Sequence, residues 1–186
     1  MTVTAQELIQ TVGNERASPL LLPYHEEVIE AANAQLRAQE EKVEQIKENL
    51  PNLDEIQQKF VQAMELEILR WKYLIRVYMT TRFKKIQALV GKLIIPIQTK
   101  LTETEWTFCQ SFQESMSLAL GGATEFTDEE EDLTPFVFFK ALVDMDSMLL
   151  SSLETNEAID IQKNQIYFAR LEHVLPLVND GRAALL

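Results

Sequence analysis

From Asp54 to Val90 the sequence contains neither proline nor glycine, and Gly91 is the first residue to interrupt it. Such a stretch reads as one helix of about 36 residues, roughly 54 Å long at 1.5 Å per residue. Asp54 is placed to cap its start, with Gln57 at the third helical position. One apolar stripe runs through Phe60, Met64, Ile68, Trp71, Ile75, Met79, Phe83, Ile86 and Val90, and a second through Leu66, Leu69, Tyr73 and Val77. A helix that is apolar on two sides lies inside a bundle or turns one face to another chain. With 186 residues in all, this chain has few other helices to cover it, so a second chain is the expected cover.

The neighbouring segments read as helices too. Thr4-Ala-Gln-Glu7 is a capping box that opens a short helix to about Val12, with Gly13 as its stop. Pro19 and Pro23 bracket an apolar turn, Leu20-Leu21-Leu22. Residues 24–49 carry a thin stripe of Val28, Ala31, Ala32, Gln35, Leu36, Val43 and Ile46 among charged side chains, and Pro51 ends that helix. A third capping box, Thr102-Glu-Thr-Glu105, starts a helix with Trp106, Cys109, Phe112 or Gln113, Met116 and Leu120 at helical spacing, stopped by Gly121-Gly122.

After the acidic, turn-rich residues 124–134 the pattern changes. Phe136-Val-Phe-Phe139 is β-prone, and Ser147–Leu153, Ala158–Ile161 and Gln165–Ala169 are short runs separated by turn residues. Leu171–Val178 resembles a short helix, Asn179-Asp180-Gly181 a turn, and Arg182–Leu186 a final strand that adds to a sheet edge. The fold class expected is α+β: a mainly α-helical N-terminal bundle domain over 1–123, an acidic linker over 124–134, and a small β-rich C-terminal domain over 135–186. The core candidates of that domain are Phe136, Phe138, Leu149, Ile159, Ile161, Ile166, Phe168, Leu175, Val178 and Leu185. So few side chains give little surplus over the entropy of ordering the segment, so it is expected to dock on a neighbour.

Little here suggests chemistry. The net charge of −12 disfavours capture of nucleic acid or an anionic membrane by overall charge. No signal peptide opens the chain, and no apolar run reaches the roughly 18 residues a bilayer span needs, so a soluble intracellular protein is expected. One cysteine excludes an internal disulfide, and Cys109 sits in an apolar helical series, where a buried inert thiol is expected. His25 and His173 have no ligand or acid–base spacing. No catalytic, cofactor or metal residue is singled out, and an enzyme is not expected. Charge is unevenly spread: residues 54–100 hold nine basic and four acidic side chains between acidic flanks. Arg82, Lys84 and Lys85 form the basic cluster. They fit local ion pairs or an acidic protein partner, with a nucleic-acid surface as the alternative. For Arg70, Arg82 and Lys85, ion pairs with acids of this chain or its neighbours are expected, and Trp71, Ile75 and Tyr78 should be buried. An acidic helical adaptor, a helical nucleic-acid-binding protein and an assembly subunit all stay open on the residues alone.

The run Glu67-Ile-Leu-Arg70-Trp71-Lys-Tyr73-Leu-Ile75-Arg-Val-Tyr78, continuing to Arg82 and Lys85-Ile86, resembles the signature helix of the Sld-five-type subunit of the GINS complex. Leu101-Thr-Glu-Thr-Glu105-Trp-Thr-Phe108 is similar to a capped helix of that family. The C-terminal stretch, with Pro176-Leu-Val178, Gly181 and Leu185-Leu186, is similar to its close. Leu21-Leu22 also fits, so the resemblance covers nearly the whole chain in the same order. The N-terminal extension is short and the loop from Gly91 to Lys100 is compact, which departs from relatives with longer tails. The resemblance implies a helical A-type domain followed by a small β B-type domain, in a non-catalytic subunit of a heterotetramer with three Psf-type subunits. It implies that this assembly joins the MCM ring and its cell-division-cycle cofactor in the replicative helicase, reaches DNA polymerase epsilon indirectly, and acts in the nucleus. It implies no cofactor, no membrane, and weak or absent direct DNA binding. Glu67, Arg70, Trp71, Tyr73, Ile75, Tyr78, Arg82, Lys85, Phe138, Pro176, Gly181 and Leu185 are its core or interface candidates.

Overall fold

The computed structural model describes residues 4–48, 54–89, 95–120, 132–149 and 158–186. The fold is α+β, with helices in the N-terminal region and a small antiparallel sheet of few strands at the C-terminal end. The chain divides into two compact units: Met1–Val12 with His25–Thr80, and Gly13–Tyr24 with Thr81–Leu186.

In the first unit, α2 (Glu26–Glu48) and the front of α3 (Glu55–Leu89) make an antiparallel hairpin. Their ion pairs fix that direction. Lys47 meets Glu65, and Lys72 meets Glu40 at 2.5 Å, so moving back along one helix moves forward along the other. The side chains of α2 buried most fully are Ile29, Ala32, Leu36 and Val43, at near-heptad spacing. Ile29, absent from the expected stripe, is its first fully covered member, while Val28 and Ala31 are half-buried. On α3 the covered series is Val61, Ile68, Trp71, Tyr78, Arg82 and Ile86. This corrects the expected stripe: Phe60 and Phe83 are exposed and Ile75 is half-buried. The covered positions recur in steps of three, four and seven residues, so that one seam of the helix faces inward. Asp54 and Gln57 cap α3 reciprocally: the Gln57 amide donates to Asp54 Oδ1 at 2.7 Å, and the Asp54 amide to Gln57 Oε1 at 3.1 Å.

Helix α1 (Ala5–Ala17) opens with the capping box of Thr4 and Glu7. It does not stop at Gly13, as expected, but runs four residues further. Asn14, Glu15 and Ser18 are buried there, and the contacts of the final turn outweigh the small helix penalty of one glycine.

The second unit has two clusters. Leu21, Ile86, Ile97 and Cys109 form one, with Leu89, Leu101, Trp106 and Phe108 against it. It gathers the end of α3, the one-turn α4 (Ile95–Gln98) and the start of α5 (Glu103–Leu120). Phe83 and Phe108 meet edge to face at 4.9 Å. Beyond Gln113 the expected stripe of α5 is lost: Met116 is exposed, and Leu118 is 86% exposed.

The other cluster belongs to the C-terminal module. Strands β1 (Phe136–Ala141), β4 (Ile166–Arg170) and β5 (Ala183–Leu185) form an antiparallel sheet in the order β4-β1-β5, and β2 (Met145–Leu149) pairs with β3 (Ala158–Ile161). Helix α6 (Leu171–Asn179) covers one face of the three-stranded sheet with Leu171, Val174, Leu177 and Val178. In β1 and β4 the expected inside and outside are exchanged, whereas Ile161, Val178 and Leu185 are buried. Val137, Phe139 and Ala141 of β1 and Ala169 of β4 point inward, whereas Phe138 is 56% exposed and Ile166, Phe168 and Ile159 are also exposed. Strand residues alternate faces, so a shift of one position inverts every side chain. The small Ala141, Ala169 and Ala183 decide the matter. They let α6 lie close to the sheet, where alternating phenylalanines would hold it off. Of the acidic linker expected over 124–134, residues 124–131 lie outside the described residues, and Leu133 packs on this core.

Candidate functional site

The chain's buried charge is concentrated at one place in the second unit. Arg82, fully buried, has five N–H donors, and each finds an acceptor. Nε and Nη2 grip Glu105 in a fork, at 2.7 Å to Oε1 and 3.0 Å to Oε2. Nη1 donates to Glu15 Oε2 at 3.1 Å and to the Leu22 carbonyl at 2.7 Å, and Nη2 also donates to the Lys100 carbonyl at 2.9 Å. The Tyr24 ring lies 5.2 Å from the guanidinium carbon. One turn on, Lys85 donates to Glu15 Oε1 at 2.7 Å, to the Leu20 carbonyl at 2.8 Å and to the Glu15 carbonyl. Positions 82 and 85 share a face of α3, so one helix face supplies both cations. Glu105 is aimed by its own capping box: it accepts the Thr102 amide at 3.1 Å while its amide donates to Thr102 Oγ1 at 3.2 Å.

Two cations and two carboxylates balance at zero charge. Burial pushes the Lys85 amine below the usual lysine range, and Glu15 opposes that shift only in part. Arg82, Glu15 and Glu105 are almost wholly buried, and Lys85 is 16% exposed. The quartet ties residues 15–22, the end of α3 and the start of α5 into one joint. Neither Glu15 nor Glu105 was singled out by sequence; the only signal was that Glu105 sits three residues after a threonine cap.

The remaining candidates scatter. Trp71 is buried and its indole donates to Glu67 at 2.9 Å. Arg70 lies 3.8 Å from Glu67 on the exposed side of α3. Tyr78 is fully buried, and its hydroxyl accepts the His25 amide at 3.2 Å. Tyr73 is 61% exposed, beside exposed Leu66 and Leu69, so these three members of the second stripe of α3 are left uncovered by the described residues, while Val77 is half-buried. Pro176 lies inside α6 on its exposed side. Gly181 takes φ +68°, which an L side chain adopts only with strain. It closes α6: its amide donates to Val178, and the Arg182 amide to Leu177. Leu185 is buried, and its amide donates to Asn14 Oδ1 at 2.9 Å. Asn14, Ala17 and Leu20 thus contribute to the C-terminal module, a role no sequence pattern announced.

Among the described residues, no group of three or more His, Cys, Asp or Glu side chains is arranged to hold a metal ion, and no helix is long and apolar enough to cross a membrane. Burial raises the Cys109 thiol above its ordinary range. A groove between α2 and α3 is lined by Glu40, Glu44, Lys47 and Glu65 over Val43, Ile68 and Leu69.

No protein-family model matches the chain. A protein of Dictyostelium discoideum described as the DNA replication complex GINS protein SLD5 is 27% identical over 192 residues, 93% of this chain and 87% of that relative. The resemblance to the Sld-five-type GINS subunit is thereby shown. It extends through the helices and the C-terminal sheet alike.

Proposed function

We propose that this chain is the Sld-five-type subunit of a GINS complex and acts in DNA replication as a non-catalytic structural component. The observation that carries this reading is the end-to-end similarity to the Dictyostelium protein. The uncovered stripe of Leu66, Leu69 and Tyr73 on α3 supports it, because apolar side chains in such a row favour a partner helix. Three Psf-type subunits are the partners this reading names. Through them the chain takes its place beside the MCM ring and the cell-division-cycle cofactor in the replicative helicase, with DNA polymerase epsilon at one remove and the nucleus as the place of action. Residues 1–123 would serve as the A-type domain and 135–186 as the B-type domain, joined by 124–134.

The alternative, a nucleic-acid surface made by Arg76, Arg82, Lys84 and Lys85, is weakened by the burial of Arg82, whose every donor is spent on its own chain, while Arg76 and Lys84 are exposed. The test is co-expression with the three Psf-type subunits from the same source, followed by size-exclusion chromatography. A single stoichiometric complex is expected, lost or weakened when Leu69 and Tyr73 are changed to serine. A stable monomer with no affinity for the three subunits would overturn the reading.

A further inference from the structure

The outer face of the three-stranded sheet has a composition unlike the rest of the chain. In strand register, Phe136 lies opposite Arg170, Phe138 opposite Phe168, and Lys140 opposite Ile166. On the other side of β1, Ala184 lies opposite Lys140, and the Leu186 amide donates to the Phe138 carbonyl. Strand alternation puts all eight of these residues on the face that α6 does not cover. Six are apolar, two are cationic and none is acidic, in a chain of net charge −12. Phe168 is a shared hub: its ring lies 5.1 Å from that of Phe136 and 4.6 Å from that of Phe138. The Arg170 guanidinium lies 5.7 Å from the Phe136 ring centre. The inner face already has its cover, from α6 and from Ala17 and Leu20. The outer aromatics pack on one another yet leave Phe138 and Phe168 more than half exposed.

We propose that this sheet face is a docking surface for an amphipathic segment of a partner protein, one whose apolar side chains are bordered by carboxylates. The aromatic centre supplies the anchor, and Lys140 beside it selects negative charge, while Arg170, which already lies 3.6 Å from Glu172 Oε1 of its own chain, adds less. A second copy of this chain is a poor occupant in face-to-face packing, since it would bring the same two cations against them. The surface is separate from the α3 stripe used in the assembly reading, and its test does not depend on the Psf-type subunits.

The probes are two labelled helical peptides that share one leucine stripe. One is flanked by glutamates, the other by lysines at the same positions. Each is titrated by fluorescence anisotropy with the full chain as it purifies. The glutamate peptide is expected to bind at least about tenfold more tightly than its lysine twin. Phe138→Ser with Phe168→Ser should abolish binding. Lys140→Glu, at a half-buried position outside the core cluster, should narrow the difference between the two peptides even if the double serine variant folds poorly. Equal affinities, no binding by either peptide, or indifference to Lys140→Glu would overturn the proposal. Sedimentation of the wild-type chain gives a further refutation: a homodimer dissolved by the double serine variant would make a second copy the occupant.

Discussion

Removing the guanidinium of Arg82 tests the buried joint most directly. In Arg82→Met an apolar stem remains, but the guanidinium and all five donors are lost. Glu15 retains Lys85 as a partner at 2.7 Å. Glu105 keeps only the Thr102 amide among the bonds described, and carries its charge in a site where it is about 5% exposed. The Leu22 and Lys100 carbonyls also lose a donor. Breaking a buried ion pair from one side costs about 3–5 kcal/mol, because the surviving charge stays desolvated. The lost bonds to the two carbonyls belong to the same network and do not add in full. Urea unfolding followed by tryptophan fluorescence is a suitable assay, because Trp106 lines the adjoining cluster. With a slope of about 2 kcal/mol per molar urea, a loss of 4 kcal/mol lowers the midpoint by about 2 M. Arg82→Lys should fall between, since an ammonium cannot span the carboxylate as a fork. Glu105→Gln should cost far less in the Arg82→Met background than alone, because its partner is already gone. Arg76→Met, at an exposed position of the same helix, should stay within about 0.5 kcal/mol. A midpoint shift under about 0.5 M for Arg82→Met would refute the view that the quartet holds this joint together.

Other predictions follow from single features. Phe139→Ala should cost about 3–5 kcal/mol and its neighbour Phe138→Ala less than about 1 kcal/mol, measured by the same unfolding curves; equal losses would mean the sheet faces are misassigned. Lys85 has a folded pKa below its ordinary value of 10.5, so the folded state releases its proton before the unfolded state does. The stability of the wild type relative to Lys85→Met should therefore rise with pH through the window just below 10.5, and a flat or falling difference would count against burial as the dominant cause. Cys109, fully buried with its thiol raised by burial, should resist a thiol reagent at neutral pH until denaturant is added. Labelling as fast as in urea would refute that placement.

The sequence spelled out the helices well where side chains make local contacts. The capping boxes at Thr4, Asp54 and Thr102 form as written, since each depends on residues three apart. It was poor at deciding which side faces inward. Phe136 to Phe139 is apolar at both parities, so period two cannot choose a face, and the choice was made by three alanines brought together from three separate strands. Ion pairing of Arg82 was expected, but its complete burial was hidden for a related reason. A charged residue in a helix reads as surface until its partners are known, and Glu15 lies 67 positions away. The only trace was its place in the seam, four residues after Tyr78. The run-on of α1 past Gly13 was equally illegible, because what favours it is the burial of Asn14 and Glu15 by residues much later in the chain.

The bond from Leu185 to Asn14 spans 171 positions, and this bears on how the protein is made. Asn14, Ala17 and Leu20 leave the ribosome early, while the strands they pack against are synthesised last. Until then these residues can form a helix but lack the module that covers them. The sheet cannot be completed by a nascent chain that stops short of β5, and closing so long a loop slows folding. A fragment cut at residue 135 would lack the early side chains its core includes, whereas adding a peptide of residues 4–24 in trans should help to order it. Abortive chains would in this way expose their incompleteness to quality control.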